Sequence, residues 1–341
     1  MNPVNYNYGI EKQLKYIMSD TYNYIFNMEN GFFARWGKTR DDDPQFSPIG
    51  PELLDIEVST QCHGGCVWCY KSNTPSGRIM KFYTFKKILD KIPRSVTQIA
   101  FGIGDLDSNP ELWDMFRYCR KKKIVPNITI NGSRLTDEMA EKLVKFCGAV
   151  AISHYDDEVC FNAVKLLTDK GLSQVNVHKL AASETETSCY ALLNAVKTDA
   201  RLKRLNAVIL LGFKKKGKRN TYNPLRSHKF RLLVQYAINN RIHIGFDSCS
   251  ANKFLEAVKN NPNYKRYKMM SEPCESTCFS MYINVDGITY PCSFLEGENG
   301  FKGINILSCK NFHKDIWLSP SFCEFRKNLI KINRNCPHFK I

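Results

Sequence analysis

The chain has 341 residues and a formal net charge of +16, with 43% hydrophobic and 24% charged residues. These proportions belong to a folded globular protein and exclude disordered, collagen-like and disulfide-knot chains. The length favours about two domains. The sequence has no run of about 18 apolar residues and no apolar signal region at its start, so we expect a cytoplasmic protein with no membrane partner.

Residues 51–250 alternate short apolar runs with amphipathic stretches, which predicts repeated βαβ units with parallel pairing. Six or seven such units favour an α/β fold built as a partial TIM barrel of the (β/α)6 type, with a flat doubly wound sheet as the alternative. In both folds we expect functional residues at the carboxyl ends of the strands. The predicted strands are 53–59, 97–101, 124–130, 149–153, 174–180, 206–212 and 242–246, and the predicted helices are 84–92, 110–121, 136–146, 158–170, 188–197 and 228–239. Asn109 is the expected N-cap of the second helix.

Two segments flank this predicted barrel. Residues 1–50 are rich in aromatic side chains and asparagine, and Asn30-Gly31 between apolar runs predicts a β-hairpin over residues 22–36. Residues 251–341 form a small extension that holds six of the fourteen cysteines. In a reducing compartment such cysteines indicate metal or cluster ligation before disulfides. Single cysteines in predicted helices are instead expected to be core residues, namely Cys119, Cys147 and Cys160.

The positive charge is concentrated in two basic runs, at residues 120–123 and 214–219. Both are interpreted as loop or helix-end charge on a solvated face. Nucleic-acid binding is a less favoured alternative, which rests on the net charge alone. A basic surface also attracts acidic peptides.

Cys62, Cys66 and Cys69 form a C-x3-C-x2-C motif directly after the first predicted barrel strand. Three thiolates so close in sequence can hold three irons of a [4Fe–4S] cluster, which leaves the fourth iron open to a small molecule. The alternatives are a zinc site with His63 as a fourth ligand and a thioredoxin-type pair of Cys66 and Cys69. Structural zinc is usually built from CxxC pairs, and the redox pair leaves Cys62 unused, so the sequence favours the open cluster.

This motif, with the aromatic Trp68 before its third cysteine, resembles that of the radical S-adenosylmethionine (radical SAM) superfamily. The resemblance covers residues 51–250 in the order of strands and helices. It implies a [4Fe–4S] cluster that binds S-adenosylmethionine (SAM), an electron donor of the flavodoxin or ferredoxin type, and reductive cleavage of SAM to a 5′-deoxyadenosyl radical. That radical abstracts a hydrogen from an unactivated carbon and needs a closed, dry cavity.

The resemblance also implies which residues bind SAM. Family members carry a Gly-Gly-Glu segment after the second strand, and this chain has Gly102-Ile103-Gly104-Asp105 there, with a shorter carboxylate. Asn131-Gly132 stands where the family often has Thr-Asn-Gly. The alternatives are a Rossmann turn that lacks its third glycine and an ordinary turn. The implied SAM-binding residues are Trp68 near the adenine, Gly102, Gly104, Asp105 for the ammonium, Asn131, Ser153 near the ribose, and His178.

A second group of cysteines lies in the extension. Cys274 and Cys278 precede, and Cys292 follows, two alternating apolar runs around Asp286-Gly287, which is a strong hairpin signal. The hairpin is expected to return Cys292 beside the other two and so form a second metal site. The spacing of Cys274, Gly287 and Cys292 resembles the twitch or SPASM extensions of radical SAM enzymes, which implies an auxiliary [4Fe–4S] cluster. A zinc ribbon is the alternative.

The fourth ligand of this second site is predicted to be Cys336. Pro337 prevents a helix from continuing there and keeps Cys336 on a loop, where its thiolate can turn toward a metal. Cys323 has the spacing of ordinary helix packing. The alternatives are Cys309, Cys323 or an open iron that binds substrate directly. One auxiliary cluster is expected, because the dense downstream cysteine run of a two-cluster SPASM domain does not occur.

The resemblance implies a radical SAM enzyme that modifies a peptide or protein. The alternatives are a radical SAM dehydrogenase or cyclase on a small molecule, a nucleic-acid-modifying member, and a non-catalytic iron–sulfur or zinc-binding protein. The open three-cysteine loop argues against the last. The N-terminal segment is too short for an added recognition domain of about 80 residues, so recognition falls to the barrel mouth, the predicted hairpin or a separate protein.

Overall fold

An antiparallel sheet opens the computed structural model, which describes residues 5–39, 41–298, 300–339 and 341. Its strands pair in chain order, and the last two enclose the Asn30-Gly31 turn at which a hairpin is predicted. Gly31 has a φ of +77°, which favours glycine at this turn. The strands are β1 (Asn7–Glu11), β2 (Leu14–Met18), β3 (Asn23–Asn27) and β4 (Phe33–Trp36).

The central sheet of the described residues is parallel over the region predicted to be a barrel. Its strands lie side by side in chain order, each joined to the next through a helix. A doubly wound sheet reverses its strand order, and this sheet does not, so the predicted α/β partial barrel is confirmed. The elements are β5 (Leu53–Glu57), α1 (Phe82–Lys91), β6 (Gln98–Gly102), α2 (Leu112–Lys121), β7 (Val125–Ile130), α3 (Asp137–Phe146), β8 (Val150–Ser153), α4 (Asp157–Asp169), β9 (Val175–Ala181), α5 (Glu186–Thr198), β10 (Ala207–Gly212), α6 (Ser227–Asn239) and β11 (Ile244–Phe246).

The extension continues the same sheet at its β5 edge. Strand β12 (Ser280–Ile283) pairs parallel with β5, and β13 (Ile288–Tyr290) and β14 (Ile304–Asn305) add antiparallel strands beyond it. The extension is therefore joined to the barrel by main-chain hydrogen bonds. Its remaining elements are the helices α7 (Ala251–Ala257), α8 (Tyr264–Met269) and α9 (Pro320–Lys331) and a π-helical turn (His313–Trp317).

One face of the barrel sheet is apolar and packs against the helices. Side chains such as Ile56 and Phe101 face the helices, where they are buried against residues such as Phe85 and Phe116. Apolar burial of this kind supplies most of the favourable free energy of folding. Cys119, Cys147 and Cys160 belong to this core, as predicted. None of the helices among the described residues combines the length and apolar character needed to cross a bilayer.

Asn109 does not cap α2, which begins at Leu112 instead of residue 110. Its side-chain amide donates to the carbonyls of Val58 and Met80, each at 2.9 Å, and its oxygen accepts from the Glu111 N–H at 3.0 Å. Because Val58 follows β5, these bonds fix the point at which the chain leaves the barrel for the cysteine loop.

An ionic network joins the N-terminal sheet, the barrel and the extension. Arg35 donates to Glu52 at 2.9 Å and to Glu272 at 2.5 Å, and its guanidinium lies 3.4 Å from the centroid of the Phe279 ring. Arg334 in turn pairs with Glu272 and donates to the Cys274 carbonyl at 2.9 Å. Burial raises the pKa of Glu52 to about 7, although Arg35 opposes the shift.

Lys15 fastens the N-terminal sheet to the amino-terminal end of the barrel. Its ammonium is buried and donates to the Val96 carbonyl at 2.5 Å and to the Lys123 carbonyl at 3.4 Å. Burial lowers the pKa of Lys15 to about 7. Between that value and the ordinary value of 10.5, the unfolded chain binds a proton that the folded chain has released.

We therefore expect the free energy of unfolding to contain a term from Lys15 that rises with pH above about 7, by up to about 1.4 kcal/mol per pH unit. Lys15→Met should remove this term, so that the difference in stability between the variant and the wild type changes across the range. Urea unfolding at several pH values between 7 and 10 measures it. Lys327→Met, which removes an exposed lysine, is the control. Parallel pH profiles for wild type and Lys15→Met would contradict the assignment.

Candidate active site

The three thiols of the C-x3-C-x2-C motif lie on the loop that follows β5, at the carboxyl end of the barrel. The Gly64 N–H donates to the Cys62 sulfur at 3.4 Å, and the Cys66 thiol donates to the Gly64 carbonyl at 3.8 Å. The Cys69 N–H donates to the Cys66 carbonyl at 3.2 Å, which closes a turn between the second and third cysteines. All three thiols are half-buried, so they are accessible and still fixed by the loop.

Asp105 anchors this loop from the end of the neighbouring strand. One carboxylate oxygen accepts from the His63 N–H at 2.9 Å and contacts the His63 ring nitrogen Nδ1 at 2.7 Å. The other accepts from the Asn131 amide at 3.0 Å and from the Cys62 thiol at 3.7 Å. Burial would raise the pKa of Asp105, but the hydrogen bonds from His63 and Asn131 outweigh it and hold this pKa below its usual value.

Glycine is required where the strand end of β6 meets the cysteine loop. A Cβ atom on Gly104 would lie 1.9 Å from the Gln61 carbonyl oxygen and 2.7 Å from Cys62 Cβ. A Cβ atom on Gly102 would lie 3.3 Å from Glu57 Cα, which is tight but not prohibitive. The Gly-x-Gly segment therefore serves close packing of two backbones, and Gly104 is the position that enforces it.

Aromatic rings cover the same end of the barrel. Trp68 lies 5.5 Å from Tyr155 and 5.3 Å from Tyr222 between ring centroids. Ser153, at the end of β8, hydrogen-bonds the Tyr155 side chain and pairs in register with His178 of β9. Burial lowers the pKa of His178 to about 4, although Asp247 opposes the shift, so its ring is neutral near pH 7. The sequence analysis named Trp68, Ser153 and His178 but missed both tyrosines.

The predicted SAM-binding residues thus come together at one end of the barrel. Asp105 joins the cysteine loop to Asn131 at the end of β7, and the strand that follows ends in Ser153. His178 lies in the middle of β9, level with Ser153 in the strand register. Gly132 has a φ of +78°, which explains the Asn-Gly pair there as a turn.

The basic run at residues 214–219 is only in part the solvated face expected from the sequence: Lys215, Lys218 and Arg219 are exposed, whereas Lys214 and Lys216 are not. It belongs to a segment, residues 213–220, that crosses the cysteine loop and that we call the clamp segment. A Cβ atom on Gly217 would lie 2.2 Å from the Cys69 carbonyl oxygen, and Asn220 donates to the Trp68 carbonyl at 3.5 Å. The side chains of Lys214 and Lys216 are only 3% and 9% exposed. These two lysines are therefore packed against the neighbouring loops and are not part of a solvated face.

A second group of thiols gathers where the extension meets the carboxyl end of β11. Cys249 follows β11, and it lowers the pKa of Cys274 to about 6, although burial opposes the shift. Burial raises the pKa of Cys292 to about 12, and Cys274 and Cys336 add to the shift. Burial also raises the pKa of Cys336, and Cys274 adds to the shift. These effects indicate that the four thiols are neighbours.

Cys249 was missed in the sequence, because it stands alone after the last predicted strand. Cys278 was also named as a ligand, and it packs in one buried cluster with Cys274 and Cys292. Its thiol is buried, its carbonyl accepts from the Ser47 N–H at 2.8 Å, and its strongest charged neighbours are Arg334 and Arg326. The Cys323 sulfur accepts from Arg326 at 3.8 Å, and Cys309 lies apart, where its carbonyl accepts from a lysine of α1.

Neither group of thiols is arranged as a site for a single metal ion. In the ranges that the structure describes, no three His, Cys, Asp or Glu side chains surround a single point closely enough to ligate one ion. A [4Fe–4S] cluster gives each thiolate its own iron, so its ligands stand apart. Glycine at residue 64 leaves the space between two of these thiols open, because a Cβ atom there would lie 3.4 and 3.6 Å from the sulfurs of Cys62 and Cys66.

A polar cavity of about 270 Å³ lies between the loop that follows Cys69 and the extension. The loop residues after Cys69 line it on one side, and the clamp segment and Glu296 line it on the other. Lys71 crosses it, 3.0 Å from a carboxylate oxygen of Glu57, and donates to the Tyr282 hydroxyl at 2.6 Å. Tyr70 stacks on Phe294, with 4.3 Å between ring centroids, and so ties the cysteine loop to the extension.

Comparison with known proteins places this site in a family. The family model described as the radical SAM superfamily matches residues 56–178, which include the three-cysteine loop, Asp105 and Asn131. The predicted resemblance to the radical SAM superfamily is thereby confirmed for residues 56–178, together with a [4Fe–4S] cluster and SAM as the cofactors of that superfamily.

One curated protein is similar over a shorter stretch of the chain. A tungsten-containing aldehyde ferredoxin oxidoreductase cofactor-modifying protein of Pyrococcus furiosus is 29% identical over 121 residues, which are 34% of this chain and 33% of that protein. The chain thus matches about a third of that curated relative's length.

Solved structures share the fold over most of the chain. Streptococcus suis SuiB bound to its precursor peptide SuiA has a TM-score of 0.71 at 14% identity and covers 94% of this chain and 90% of its own. The enzyme anSMEcpe with bound AdoMet and a Cp18Cys peptide has a TM-score of 0.59 at 17% identity, with 81% and 82% coverage. At these identities the likeness shows the fold, including the extension.

We expect Asp105→Ala to loosen the cysteine loop, because His63 and Asn131 lose their common partner. In the metal-free, reduced protein, Cys62 and Cys66 should then react with iodoacetamide severalfold faster, as measured by mass spectrometry of the modified peptides. Asp107→Ala is the matched control, since Asp107 contacts Arg134 only weakly, at 3.4 Å on the surface. Equal alkylation rates in wild type and Asp105→Ala would show that the loop is held by other contacts.

Proposed function

We propose that this protein is a radical SAM enzyme that abstracts a hydrogen atom from a peptide or protein substrate. The observation that carries the proposal is the open three-thiol loop beside Asp105 at the mouth of a partial barrel, with a second thiol group where the extension meets the barrel. When bound, a [4Fe–4S] cluster and SAM supply the 5′-deoxyadenosyl radical, with an electron from a donor of the flavodoxin or ferredoxin type. The residues around them bind, orient and exclude water.

Cys62, Cys66 and Cys69 are the proposed ligands of the SAM-binding cluster. Asp105 is proposed to accept a hydrogen bond from the SAM ammonium. A carboxylate has about four acceptor positions, and the oxygen that faces Asn131 loses its bond from Cys62 when that thiol is deprotonated as a ligand. Charge-assisted bonds of this kind contribute about 1.5–3 kcal/mol.

The remaining SAM contacts are assigned from their places around Asp105. Trp68, with Tyr155 and Tyr222, offers aromatic faces to the adenine. Asn131 and Ser153 offer polar groups at neighbouring strand ends, and the neutral His178 ring can hydrogen-bond without adding charge. Gly102 and Gly104 let the backbone approach closely. The clamp segment covers the loop and limits access of water, which a reactive radical requires.

The proposed auxiliary cluster has Cys249, Cys274, Cys292 and Cys336 as its ligands. This set keeps three residues that the sequence analysis predicted and replaces Cys278 by Cys249. The effect of Cys249 on the pKa of Cys274 supports the replacement, because it indicates that the two thiols are neighbours. Cys278, which packs with Cys274 and Cys292, is the alternative fourth ligand. With four thiolates the cluster is saturated, so it serves electron transfer or structure and does not bind substrate.

A peptide substrate is supported by the size and chemistry of the cavity. A volume of about 270 Å³ is at the lower limit for a small-molecule site and suits one side chain of a longer chain that remains outside. SuiB and anSMEcpe, which share the fold, have been solved with bound peptides. The second candidate is a small molecule, because the Pyrococcus furiosus relative is named for modifying a cofactor.

Iron counting tests the two ligand sets. Anaerobically reconstituted wild type should hold about eight irons per chain, and Cys249→Ala about four, because one cluster loses a ligand. Cys278→Ala is the matched control and should keep about eight. A loss of four irons from Cys278→Ala with full retention by Cys249→Ala would restore the set predicted from sequence. About four irons in the wild type with one zinc would favour a zinc ribbon.

Deuterium transfer tests the substrate class. We expect the reduced enzyme with SAM to produce deuterated 5′-deoxyadenosine from a pool of perdeuterated peptides, because the radical takes its hydrogen from the substrate. A perdeuterated small-metabolite pool from the same cells should give none. Mass spectrometry of 5′-deoxyadenosine measures both. Cys66→Ala should form no 5′-deoxyadenosine, while Cys323→Ala should behave as wild type. Deuterium from the metabolite pool alone would favour the second candidate.

A further inference from the structure

The cavity between the cysteine loop and the extension has more positive than negative charge in its wall. The charged residues that line it are two carboxylates and three cations, namely Glu57, Glu296, Lys71, Arg78 and Lys216. Lys71 occupies both carboxylates, because it pairs with Glu57 at 3.0 Å and also with Glu296. The charges of Arg78 and Lys216 are therefore not neutralised from within the cavity.

Lys216 is a buried cation with incomplete compensation. Its side chain is 9% exposed, and its ammonium donates to the carbonyls of Phe294, at 2.8 Å, and Glu296. Among the described residues its one salt-bridge partner is Glu298, at 3.6 Å, which is too long for a hydrogen bond. An ammonium has three N–H donors, and the two carbonyls use two of them. The third is left for an anion that enters the cavity.

Two arginines continue the positive charge to the opening of the cavity. Arg78 pairs with Asp286 at the surface, where both side chains are exposed, and such pairs contribute little. Arg219 donates to the carbonyl of Asn73 at 3.2 Å, so the clamp segment places it against a residue that lines the cavity. In the part of the chain that the structure describes, no carboxylate pairs with Arg219. We call Arg78, Lys216 and Arg219 the basic mouth.

Asn73 adds an independent feature of the same cavity. Its side-chain oxygen is buried, and no donor among the described residues reaches it. A buried acceptor without a partner is costly, so this oxygen indicates a ligand that brings a donor. A peptide carries a backbone N–H beside each side chain. The cavity thus offers positive charge to a carboxylate and an acceptor to the N–H of the same residue.

We propose that the basic mouth binds an aspartate or glutamate side chain of the peptide substrate, and that the Asn73 side chain accepts from the backbone N–H of that residue. The inference rests on the proposed peptide substrate and deepens it, because it names the chemistry that recognises the peptide. The three basic residues determine specificity and touch no reacting atom. Thr60 and Tyr70, on either side of the three cysteines, also line the cavity, so the acidic residue is held beside the cysteine loop.

A nucleic-acid backbone is the other anionic ligand that a basic surface attracts. Such backbones are bound by cations spread along an exposed surface. Here one cation is buried in the wall of a cavity of about 270 Å³ beside an acceptor without a partner, which suits a single side chain. The cavity therefore favours the carboxylate of a peptide, and RNA enters the test as a competitor.

Affinity selection from paired peptide libraries tests the proposal. Two synthetic libraries share the same randomised positions and differ only in the central residue, which is Glu in one and Gln in the other. The reconstituted full chain is incubated with SAM and both libraries, and mass spectrometry measures the bound fraction of each. We expect the wild type to enrich the Glu peptides about tenfold over the Gln peptides, as one charge-assisted contact would.

Variants of the basic mouth show whether it is the source of this preference. Lys216→Met removes the ammonium and should bring the ratio of Glu to Gln peptides close to one, whereas Lys216→Arg should keep the preference. Lys215→Met is the matched control and should behave as wild type, because it removes an exposed lysine of the clamp segment that does not line the cavity.

Equal enrichment of both libraries by the wild type overturns the proposal, and so does an unchanged preference in Lys216→Met. If Lys216→Met does not fold, the exposed Arg219 decides: a severalfold smaller preference in Arg219→Gln supports the proposal, and an unchanged one overturns it. Displacement of the Glu peptides by a mixed-sequence RNA oligomer at physiological salt overturns it in favour of a nucleic acid. A preference for Glu peptides without deuterium transfer from any peptide supports the binding site and overturns the proposed reaction alone.

Discussion

The parallel pairing of β12 with β5 joins the two thiol groups through one sheet. Strand β5 leads directly into the three-cysteine loop at its carboxyl end, and the antiparallel pairing of β13 with β12 returns Cys292 toward the amino end of β5. A slip in this register by one residue would turn every side chain of β12 to the other face of the sheet. The distance between the two proposed clusters is therefore set by main-chain hydrogen bonds, and side-chain contacts across the cavity refine it.

The Arg35 ion pairs hold the N-terminal sheet, the barrel and the extension together. Their carboxylates come from the start of the barrel and from the extension, while Arg35 itself comes from β4. Breaking one partner of a buried ion pair leaves a charge without compensation, which is strongly destabilising. The N-terminal sheet thus stabilises the junction between the barrel and the extension. This is a structural role for the sheet, whether or not it also contacts substrate.

The clamp segment connects the two chemical centres. One part of it packs on the cysteine loop at Cys69, and Lys216 donates to the Phe294 carbonyl at 2.8 Å, two residues beyond Cys292. A displacement of either thiol group would therefore be transmitted to the other through the clamp segment. The same segment holds Lys216 and Arg219, so the enclosure of the cysteine loop and the proposed recognition of an acidic side chain depend on one stretch of chain.

The sequence by itself determined the barrel and the first site, because the signals for both come from residues that are close together in the chain. Alternating periodicity located all seven parallel strands, and three cysteines within one short loop specify their own geometry. Only the tertiary structure decided the rest. Cys249 joins Cys274 across the junction of barrel and extension, and no spacing rule links residues so far apart in sequence. In the sequence, the basic run at 214–219 has the pattern of a solvated string of charges. The fold nevertheless buries Lys214 and Lys216, because carbonyls and Asp247 accept hydrogen bonds from their ammonium groups.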